Sequence, residues 1–396
     1  MKNGWQKKTL ADVCVVDKRQ AIRKNLPYVG LEHIESHTGR FIGSREPLAV
    51  KSSTFKFSSE HVLFGRLRPY LNKVMLPDFI GHCSTEIFPI RPCSGLSREF
   101  LHYWLLSDAT VEQIDATSTG ARMPRANMNA VLEFEFPLPP RSEQRRIVGI
   151  LDEAFDGIAT AKANAERSLK NARALIQPTF TTILKSLDQT HWHKSTVEGA
   201  AKAEKGSMRT GPFGSDLLHG EFVDEGIPVL GIDNAVQNRF VWNERRYITP
   251  QKFSELSRYQ VRPRDVLITI MGTCGRCAIV PEDIPPAINS KHLCCITLDR
   301  RKCLPEFLHA YFLYHPTAQE FLSKKAKGAI MAGLNMGIIK ELPLLLPPIE
   351  EQRIVVKKVT KVRESAENLE SLYQRKLAAL DELKKSLLHR AFSGQL

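Results

Sequence analysis

The sequence predicts a mixed α/β protein with two α/β domains, separated by two long antiparallel coiled-coil helices and related by an internal pseudo-twofold repeat. Its 396 residues are enough for two or three domains at about 150 residues each. A short motif recurs about 208 residues further along the chain. Each copy of the motif is followed by a long segment with heptad-like spacing of apolar residues, which is typical of paired helices.

The composition is that of a globular protein with an excess of positive charge. Hydrophobic residues make up 42% and charged residues 25%, which excludes a disordered or collagen-like chain. The 56 Lys and Arg against 43 Asp and Glu give a net charge of +13. This excess favours a polyanionic partner, most simply nucleic acid, while a basic surface without such a partner is the alternative.

The cysteines and the N-terminus indicate a cytoplasmic protein. No run approaches the roughly 18 apolar residues that span a bilayer, and the basic N-terminus lacks the apolar segment of a signal peptide, so we expect no membrane partner. In the cytoplasm the eight cysteines are expected to be free thiols. In a strand, the adjacent Cys294 and Cys295 point to opposite faces, which favours buried thiols over a zinc site. A zinc-dependent enzyme that uses this cysteine cluster is a competing hypothesis.

The repeat is clearest in two octapeptides. Residues 138–145 read LPPRSEQR, and residues 346–353 read LPPIEEQR. At the same spacing, residues 120–123 (GARM) correspond to residues 328–331 (GAIM). The chain therefore consists of one module of about 200 residues that is present twice.

Each module begins with a mixed part and ends with a helical part. Short apolar runs at 228–232, 266–270 and 293–298 are bounded by Gly, Pro and Asn and predict strands, and the run at 307–313 predicts a helix. Proline followed by Glu and Gln in the octapeptide is a helix start signal. We place the boundaries at 1–141 for the first α/β domain, 142–186 for the central helix, 187–348 for the second α/β domain and 349–396 for the C-terminal helix.

The two helical parts carry apolar stripes at matching positions. We expect the first helix to stop near Gln177 and Pro178, and the second to run to Phe392 with Gly394 as its stop. An Ala-rich stripe facing a stripe of larger residues favours mutual antiparallel packing over packing of each helix on its own domain. The predicted stripes are Ile147, Leu151, Ala154, Ile158, Ala161, Ala165, Leu169, Ala172 and Ile176 in the first copy, and Val355, Val359, Val362, Ala366, Leu369, Tyr373, Leu377, Leu380, Leu383 and Leu387 in the second.

This organisation predicts a reader of a split DNA target. Helices of this length extend ~50–65 Å at 1.5 Å per residue, while DNA repeats its face every ~34–36 Å. A spacer of that size suits two domains that read successive faces of one duplex. Because the modules differ in sequence, the two half-sites are expected to differ too.

Three segments resemble the specificity subunit of type I restriction–modification enzymes. They are the paired octapeptides, residues 209–215 (RTGPFGS) with 226–230 (GIPVL), and the ending at 387–394 (LLHRAFSG). The resemblance covers essentially the whole chain. It implies two target-recognition domains that each read half of a bipartite site in double-stranded DNA, and two conserved helices that dock two methyltransferase subunits. It also implies restriction and translocase partners.

The same resemblance implies no catalysis and no cofactor in this chain. S-adenosylmethionine, ATP and Mg are expected on the partner subunits. The sequence contains no methyltransferase Asn/Asp-Pro-Pro-aromatic signature and no phosphate-binding loop, and we expect no metal ligand or catalytic residue. One departure is that residues 211–215 (GPFGS) have no glycine-containing equivalent at 15–19, so no contact is transferred to the first domain.

The candidate DNA-contacting residues are basic, polar or loop-forming, because Arg and Lys suit guanine edges and phosphates and Asn suits adenine. For each of these residues the alternative is a solvated surface charge. For the whole chain the alternative is a duplicated coiled-coil scaffold that does not read DNA bases. In the first domain the candidates are Arg66, Arg68, Lys73, Thr119, Arg122 and Arg125; in the second they are Thr210, Gly211, Pro212, Phe213, Gly214, Ser215, Thr273, Arg276, Asn289, Lys291 and His292. The candidate subunit-interface residues are Glu143, Gln144, Arg145, Glu351, Gln352 and Arg353.

Overall fold

A computed structural model of the protein describes residues 4–243, 246–327 and 333–396. The repeated residues 328–331 lie outside this described part. The chain divides into two compact units, one formed by Met1–Arg167 with Tyr373–Leu396 and the other by Ser168–Leu372.

The first unit contains an α/β domain followed by the start of a long helix. Its elements in chain order are β1 Gln6–Thr9, α1 Leu10–Val13, β2 Cys14–Val16, β3 Gln20–Ala21, β4 Tyr28–Val29, β5 Thr54–Phe57, β6 Val62–Gly65, β7 Val74–Met75, β8 Gly81–Cys83, β9 Ile87–Pro92, α2 Arg98–Leu106, α3 Asp108–Ala116, α4 Met128–Leu132, β10 Glu135–Leu138 and α5 Arg141–Ala174. We call β1 to β10 the first domain. Its apolar side chains, among them Leu63 and Ile90, form one continuous buried core.

The second unit repeats most of this order, but β14 and α8 take the place of β3 and β5. Its elements are α6 Ile176–Lys185, β11 His193–Thr196, α7 Val197–Ala200, β12 Met208–Thr210, β13 Ile227–Leu230, β14 Tyr247–Ile248, α8 Pro250–Glu255, β15 Val266–Thr269, β16 Cys277–Ile279, β17 Ile288–Asn289, β18 Leu293–Ile296, α9 Pro305–Tyr314, α10 Pro316–Lys327, α11 Met336–Glu341, β19 Pro343–Leu346 and α12 Ile349–Ser393. The part of α12 from Tyr373 onward belongs to the first unit, and the part of α5 from Ser168 onward belongs to the second. We call β11 to β19 the second domain.

The two domains share the topology of their main sheet, whereas the other sheet is four-stranded in the first domain (β3-β5-β8-β4) and three-stranded in the second (β14-β13-β17). A four-stranded antiparallel sheet has the order β2-β9-β6-β7 in the first domain and β12-β18-β15-β16 in the second. A parallel pair joins β4 to β8 and, equivalently, β13 to β17. The first and last strands of each domain pair as β1-β10 and β11-β19. The predicted mixed α/β fold with an internal repeat is therefore confirmed.

The first long helix, α5, ends at Ala174, three residues before the predicted stop near Gln177 and Pro178. A separate helix, α6, begins after Leu175 and runs to Lys185. Pro178 lies in the first turn of α6, where backbone N–H groups have no partner within the helix, so its missing donor costs little. The second long helix ends at Ser393 as expected, and Gly394 follows in the left-handed region at φ 78°.

The predicted apolar stripes are buried over only part of their length. In the first stripe Ile147, Leu151, Ile158, Ala165 and Ala172 are buried, and in the second Val355, Val359 and Ala366 are buried. Leu369 and Leu383, in contrast, are 37% and 47% exposed, so their prediction as seam residues is wrong. A seven-residue repeat drifts around a helix of 3.6 residues per turn, which turns such positions away from the contact.

The long helices run antiparallel. Within the first unit, Arg146 of α5 donates to the carbonyl of Leu396 at 2.6 Å, and Lys162 of α5 forms an ion pair with Asp381 of α12. Residue numbers rise along one helix as they fall along its partner, which defines the antiparallel direction. This part of the predicted fold class is confirmed.

Candidate nucleic-acid interface

Two loops of the first domain are joined by backbone hydrogen bonds. Thr119 and Arg125 exchange N–H to carbonyl bonds of 3.1 and 3.0 Å, which closes the loop between them. The N–H of Arg68, on the loop after β6, donates to the carbonyl of Pro124 at 2.7 Å. Arg68 adopts the left-handed conformation at φ 51°. The predicted residues of two distant segments are thereby brought onto one surface.

Glu86 lies at the centre of this surface and holds two of the predicted arginines. The Nε of Arg66 donates to it at 3.0 Å, and the Nε of Arg125 donates to it at 3.0 Å. Burial raises the pKa of this carboxyl, but the hydrogen bonds from Arg125 and Arg66 and their positive charges outweigh burial and hold the pKa below its ordinary value. Glu86 therefore stays ionised at neutral pH.

The remaining predicted residues of the first domain differ in how free they are. Arg68, Thr119 and Arg122 are exposed. The ammonium of Lys73 instead donates to the carbonyls of Leu31 at 2.6 Å and Ile34 at 2.9 Å. Lys73 thus has a structural task in the fold, and we remove it from the residues offered to a ligand.

In the second domain, the loop at 210–215 packs its first part and exposes its second. A Cβ on Gly211 would overlap the backbone of Asn289 and Ser290, so only glycine permits this close approach. Pro212 is buried and Thr210 is half-buried, whereas Phe213, Gly214 and Ser215 are exposed. The exposed tip is the part of this loop that can reach a ligand.

The loop between β15 and β16 presents Thr273 and Arg276 to solvent. Its shape is fixed by Thr269, whose hydroxyl accepts from the N–H of Arg276 at 2.9 Å and donates to the carbonyl of Thr273 at 2.5 Å. Gly272 and Gly275 occupy the left-handed region at φ 69° and 79°. The loop is thus an ordered turn that exposes the guanidinium of Arg276.

Several predicted residues of the second domain line one cavity of about 590 Å³. Its apolar wall includes Leu217 and Phe222, and its rim carries Arg246, Lys291 and His292. Burial lowers the pKa of His292, and the charges of Lys291 and Arg246 lower it further, which keeps the imidazole neutral at pH 7. The lining residues among the candidates are Pro212, Gly214, Lys291 and His292.

Asn289 does not face this surface. Its side chain is fully buried at 0% exposure, and its Nδ2 donates to the carbonyl of Leu293 at 3.2 Å. The expectation that Asn289 reads adenine is therefore corrected, because its amide is enclosed in the fold.

Sequence reasoning also missed a buried ion pair in the second domain. Arg209 donates to Asp265 at 2.5 Å, and their side chains are only 7% and 1% exposed. The Oγ1 of Thr297 accepts from Arg209 at 3.0 Å and donates to Asp265 at 2.6 Å. No sequence pattern links positions this far apart. Arg209 lies in the RTGPFGS segment, but its side chain forms part of the buried interior of the domain.

The glutamine of the first octapeptide joins its helix to the first domain. Gln144 is at 0% exposure, and its Oε1 accepts from the N–H of Ser97 at 2.8 Å. Its Nε2 donates to the carbonyls of Gly95 and Pro139, both at 2.9 Å. The prediction that Gln144 contacts a partner subunit is therefore wrong, because its amide is spent inside the unit.

The second octapeptide repeats this arrangement. Gln352 is also at 0% exposure, and its Oε1 accepts from the N–H of Leu304 at 2.9 Å. Its Nε2 donates to the carbonyls of Lys302 at 2.8 Å and Pro347 at 2.9 Å. Gln352 is corrected in the same way, and we call the two sites the glutamine locks.

The charged neighbours of the locks have different environments. Arg145 and Arg353 are exposed, and Glu143 pairs with Arg146 at 2.7 Å. Glu351 accepts from the indole Nε1 of Trp192 at 2.9 Å. Arg145, Arg353, Glu143 and Glu351 remain predicted interface residues.

The cysteines are free and mostly buried. Cys294 packs in one apolar cluster with Cys277 and Cys303, while Cys295 packs in another, as opposite faces of a strand require. Burial raises the pKa of Cys294 to about 12. Among the residues that the structure describes, no group of three or more His, Cys, Asp and Glu side chains is arranged to hold a metal ion. Nor does the described part of the chain contain a helix long and apolar enough to cross a membrane.

Comparison of the sequence with curated proteins finds specificity subunits. The EcoBI specificity subunit of Escherichia coli is 25% identical over 305 residues, which is 72% of this chain and 63% of that protein. The EcoDI subunit of Escherichia coli is 28% identical over 170 residues, covering 42% of this chain and 38% of its own length. The EcoKI subunit of Escherichia coli (strain K12) is 23% identical over 332 residues, covering 78% and 67%. The matches to EcoBI and EcoDI thus span less than two thirds of those proteins.

Two solved structures share the fold. One is a chain from a study of complex assembly and conformational transition of the type I R-M system. It aligns with a TM-score of 0.81 at 21% identity, covering 100% of this chain and 99% of its own length. The HsdS subunit from Thermoanaerobacter tengcongensis aligns with a TM-score of 0.61 at 20% identity, covering 100% and 98%. The sequence model described as the type I restriction modification DNA specificity domain matches residues 2–170 and 220–375. The chain therefore belongs to the type I restriction–modification DNA specificity family, whose specificity subunits have a non-catalytic role.

Proposed function

We propose that this chain reads a split, asymmetric target in double-stranded DNA, one half with each domain. The observation that carries the proposal is a shared scaffold with different side chains at equivalent positions. The N–H of Arg66 donates to the carbonyl of Glu86 at 2.9 Å, and at the matching place the N–H of Ile270 donates to the carbonyl of His292 at 2.9 Å. The carboxylate of Glu86 thus corresponds to the imidazole of His292, and the guanidinium of Arg66 corresponds to the aliphatic side chain of Ile270. Different chemistry on one frame supports different half-sites.

The two long helices are proposed to fix the spacing between the half-sites. The 34 residues of α5 and the 45 residues of α12 extend about 50 and about 68 Å at 1.5 Å per residue. One DNA turn is about 34–36 Å, so helices of this length suit readers separated by one or more turns. Adding four residues to each helix is expected to lengthen the DNA spacer by ~6 Å, nearly two base pairs. An unchanged spacer in that variant would refute this role.

We further propose that the helices dock two methyltransferase subunits, and that restriction and translocase subunits complete the assembly. The exposed apolar side chains of Leu369 and Leu383 and the exposed Arg145 and Arg353 support such contacts. S-adenosylmethionine, ATP and Mg belong to those partners in this proposal. The present chain supplies recognition and geometry.

A selection experiment tests the proposal. The chain, co-expressed with its methyltransferase subunit, is incubated with duplexes of random sequence, and the captured duplexes are sequenced. Enrichment of two unlike short motifs at a fixed separation is expected. Capture without any base preference would contradict DNA reading and favour the alternative, a duplicated coiled-coil scaffold.

A further inference from the structure

Among the basic side chains of the first domain, Arg66 is held on two sides. Its Nε donates to Glu86 at 3.0 Å, and its guanidinium carbon lies 5.1 Å from the ring centroid of Phe88. Phe88 is itself buried, and the side chain of Arg66 is 31% exposed. A guanidinium fixed by an ion pair and an aromatic face has a defined orientation.

The hydrogen-bonding capacity of Arg66 is only partly used. An arginine side chain carries N–H groups on Nε and on both terminal nitrogens. Within the described residues, its only side-chain hydrogen bond is that from Nε to Glu86. Both terminal amino groups therefore remain available as an oriented fork. Such a fork matches the O6 and N7 acceptors of guanine in the major groove.

The other cations of this surface are less suited to read a base. Arg125 directs both Nε and Nη2 to Glu86 at about 3.0 Å, so one edge of its guanidinium is occupied. Arg68 and Arg122 are exposed, and the described part of the chain holds neither side chain by a hydrogen bond. Exposed arginines whose side chains are not held in one orientation suit phosphate contacts, which position DNA without reading its sequence. Orientation thus separates Arg66 from its neighbours.

We propose that Arg66 recognises a guanine in the half-site of the first domain and that Glu86 is its positioning residue. This inference rests on the proposed function. The second domain has Ile270 in the equivalent place and lacks this fork there. The guanine contact is therefore specific to one half-site.

The test compares two matched substitutions in the complex with the methyltransferase subunit. Arg66→Lys keeps the charge but removes the fork, and Arg68→Lys makes the same change on an exposed neighbour. In a random-duplex selection, Arg66→Lys is expected to reduce the preference for guanine over adenine at one position by roughly tenfold or more. The second half-site and the salt dependence of binding should stay unchanged, because a phosphate contact is not lost.

A third variant tests the positioning residue. Glu86→Gln retains the shape but weakens the charge-assisted hydrogen bond, so a smaller loss at the same guanine is expected. An unchanged preference in Arg66→Lys, an equal loss in Arg68→Lys, or a loss that extends to the second half-site would overturn the assignment. A wild-type complex that selects no split motif would instead refute the proposed function itself. If the wild-type complex selects a split motif but Arg66→Lys alters the preference at no G·C pair in it, the guanine assignment is refuted and the proposed function stands.

Discussion

The first and second domains have the same strand order in their main sheet, but different polar side chains hold that sheet together. In the second domain, the pair of Arg209 and Asp265 is almost wholly buried. In the first, Asp17 bonds His61 at 2.9 Å and Arg91 at 3.2 Å, and the Asp17 side chain is 35% exposed. The backbone ladder is common to both domains, whereas the polar groups that brace it have been replaced. Changes of side chains on a common backbone can thus give two domains with different binding surfaces.

The glutamine locks show the opposite behaviour. Gln144 and Gln352 make the same three hydrogen bonds at the start of their helices, at matching positions. Each lock ties the first turn of a long helix to the loop before the domain's own helix, α2 or α9. What is common to both modules is thus the connection between reader and helix, and what differs is the reading surface.

The largest loss of stability is expected when the buried ion pair of the second domain is removed. Asp265→Ala leaves the buried guanidinium of Arg209 without its counter-charge, which is expected to destabilise the protein by about 3–5 kcal/mol. Asp17→Ala is the matched control, and its more exposed position predicts about 1 kcal/mol or less. Chemical denaturation of each variant measures the difference. Equal losses in both would show that the braces of the two domains are equivalent after all.

The second prediction concerns the locks. Gln144→Met and Gln352→Met fill the same space but leave buried N–H and carbonyl groups unpaired, at a cost of roughly 2–3 kcal/mol each. Because the geometry is repeated, the two losses should agree closely. Amide hydrogen exchange provides the local readout, since the N–H of Ser97 or of Leu304 loses its acceptor. A large loss at one lock with none at the other would contradict their equivalence.

A smaller and pH-dependent difference is expected from the equivalent His102 and His309. Burial lowers the pKa of His102 to about 3, with a further contribution from Lys384 and Arg98, and its Nδ1 has no hydrogen-bond partner in the described structure. Burial also lowers the pKa of His309, but its Nε2 is bonded to the carbonyl of Asn238 at 2.9 Å, which opposes the shift.

The sign of this effect follows from proton binding. Unfolded histidine, with a pKa near 6.5, takes up a proton on acidification that the folded state refuses, so stability is full above pH 6.5 and falls below it. For His102 the loss between pH 7 and pH 5 is about 2 kcal/mol. Denaturation of the His102→Asn and His309→Asn variants at both pH values measures it. The stability of the wild-type protein is expected to fall more steeply between pH 7 and pH 5 than that of His102→Asn. An equally steep fall in both proteins would contradict the assignment of this effect to His102.

Much of the architecture follows from the sequence because repetition and periodicity are local signals. The octapeptides marked the two helix starts, and the spacing of residues such as Ile147 and Val355 marked the buried sides of those helices. The end of the first helix is predicted to within about three residues, but the sequence does not predict that Pro178 lies in the first turn of a separate helix, because the effect of a proline depends on its position within a turn. The spacing of apolar residues also predicts burial of Leu369, which is exposed because burial there depends on packing and not on spacing.

The candidate interface was less predictable, for a physical reason. Clusters of basic residues show charge, but a ligand-facing charge and a structural one differ only in their tertiary partners. Lys73 bonds two carbonyls, Asn289 is enclosed, and Glu86 gathers Arg66 and Arg125 from segments far apart in sequence. These pairings have no signature in a single sequence, since each joins loops that meet only when the sheet has formed.

The two domains are proposed to read two different sequences on a common backbone. Genome-wide mapping of adenine methylation, in cells that express the chain with its methyltransferase partner, is the most direct test. We expect one split motif with two unlike halves and a constant spacer, lost when the chain is deleted. Methylation at a palindromic motif with identical halves, or at a single unsplit motif, would contradict it.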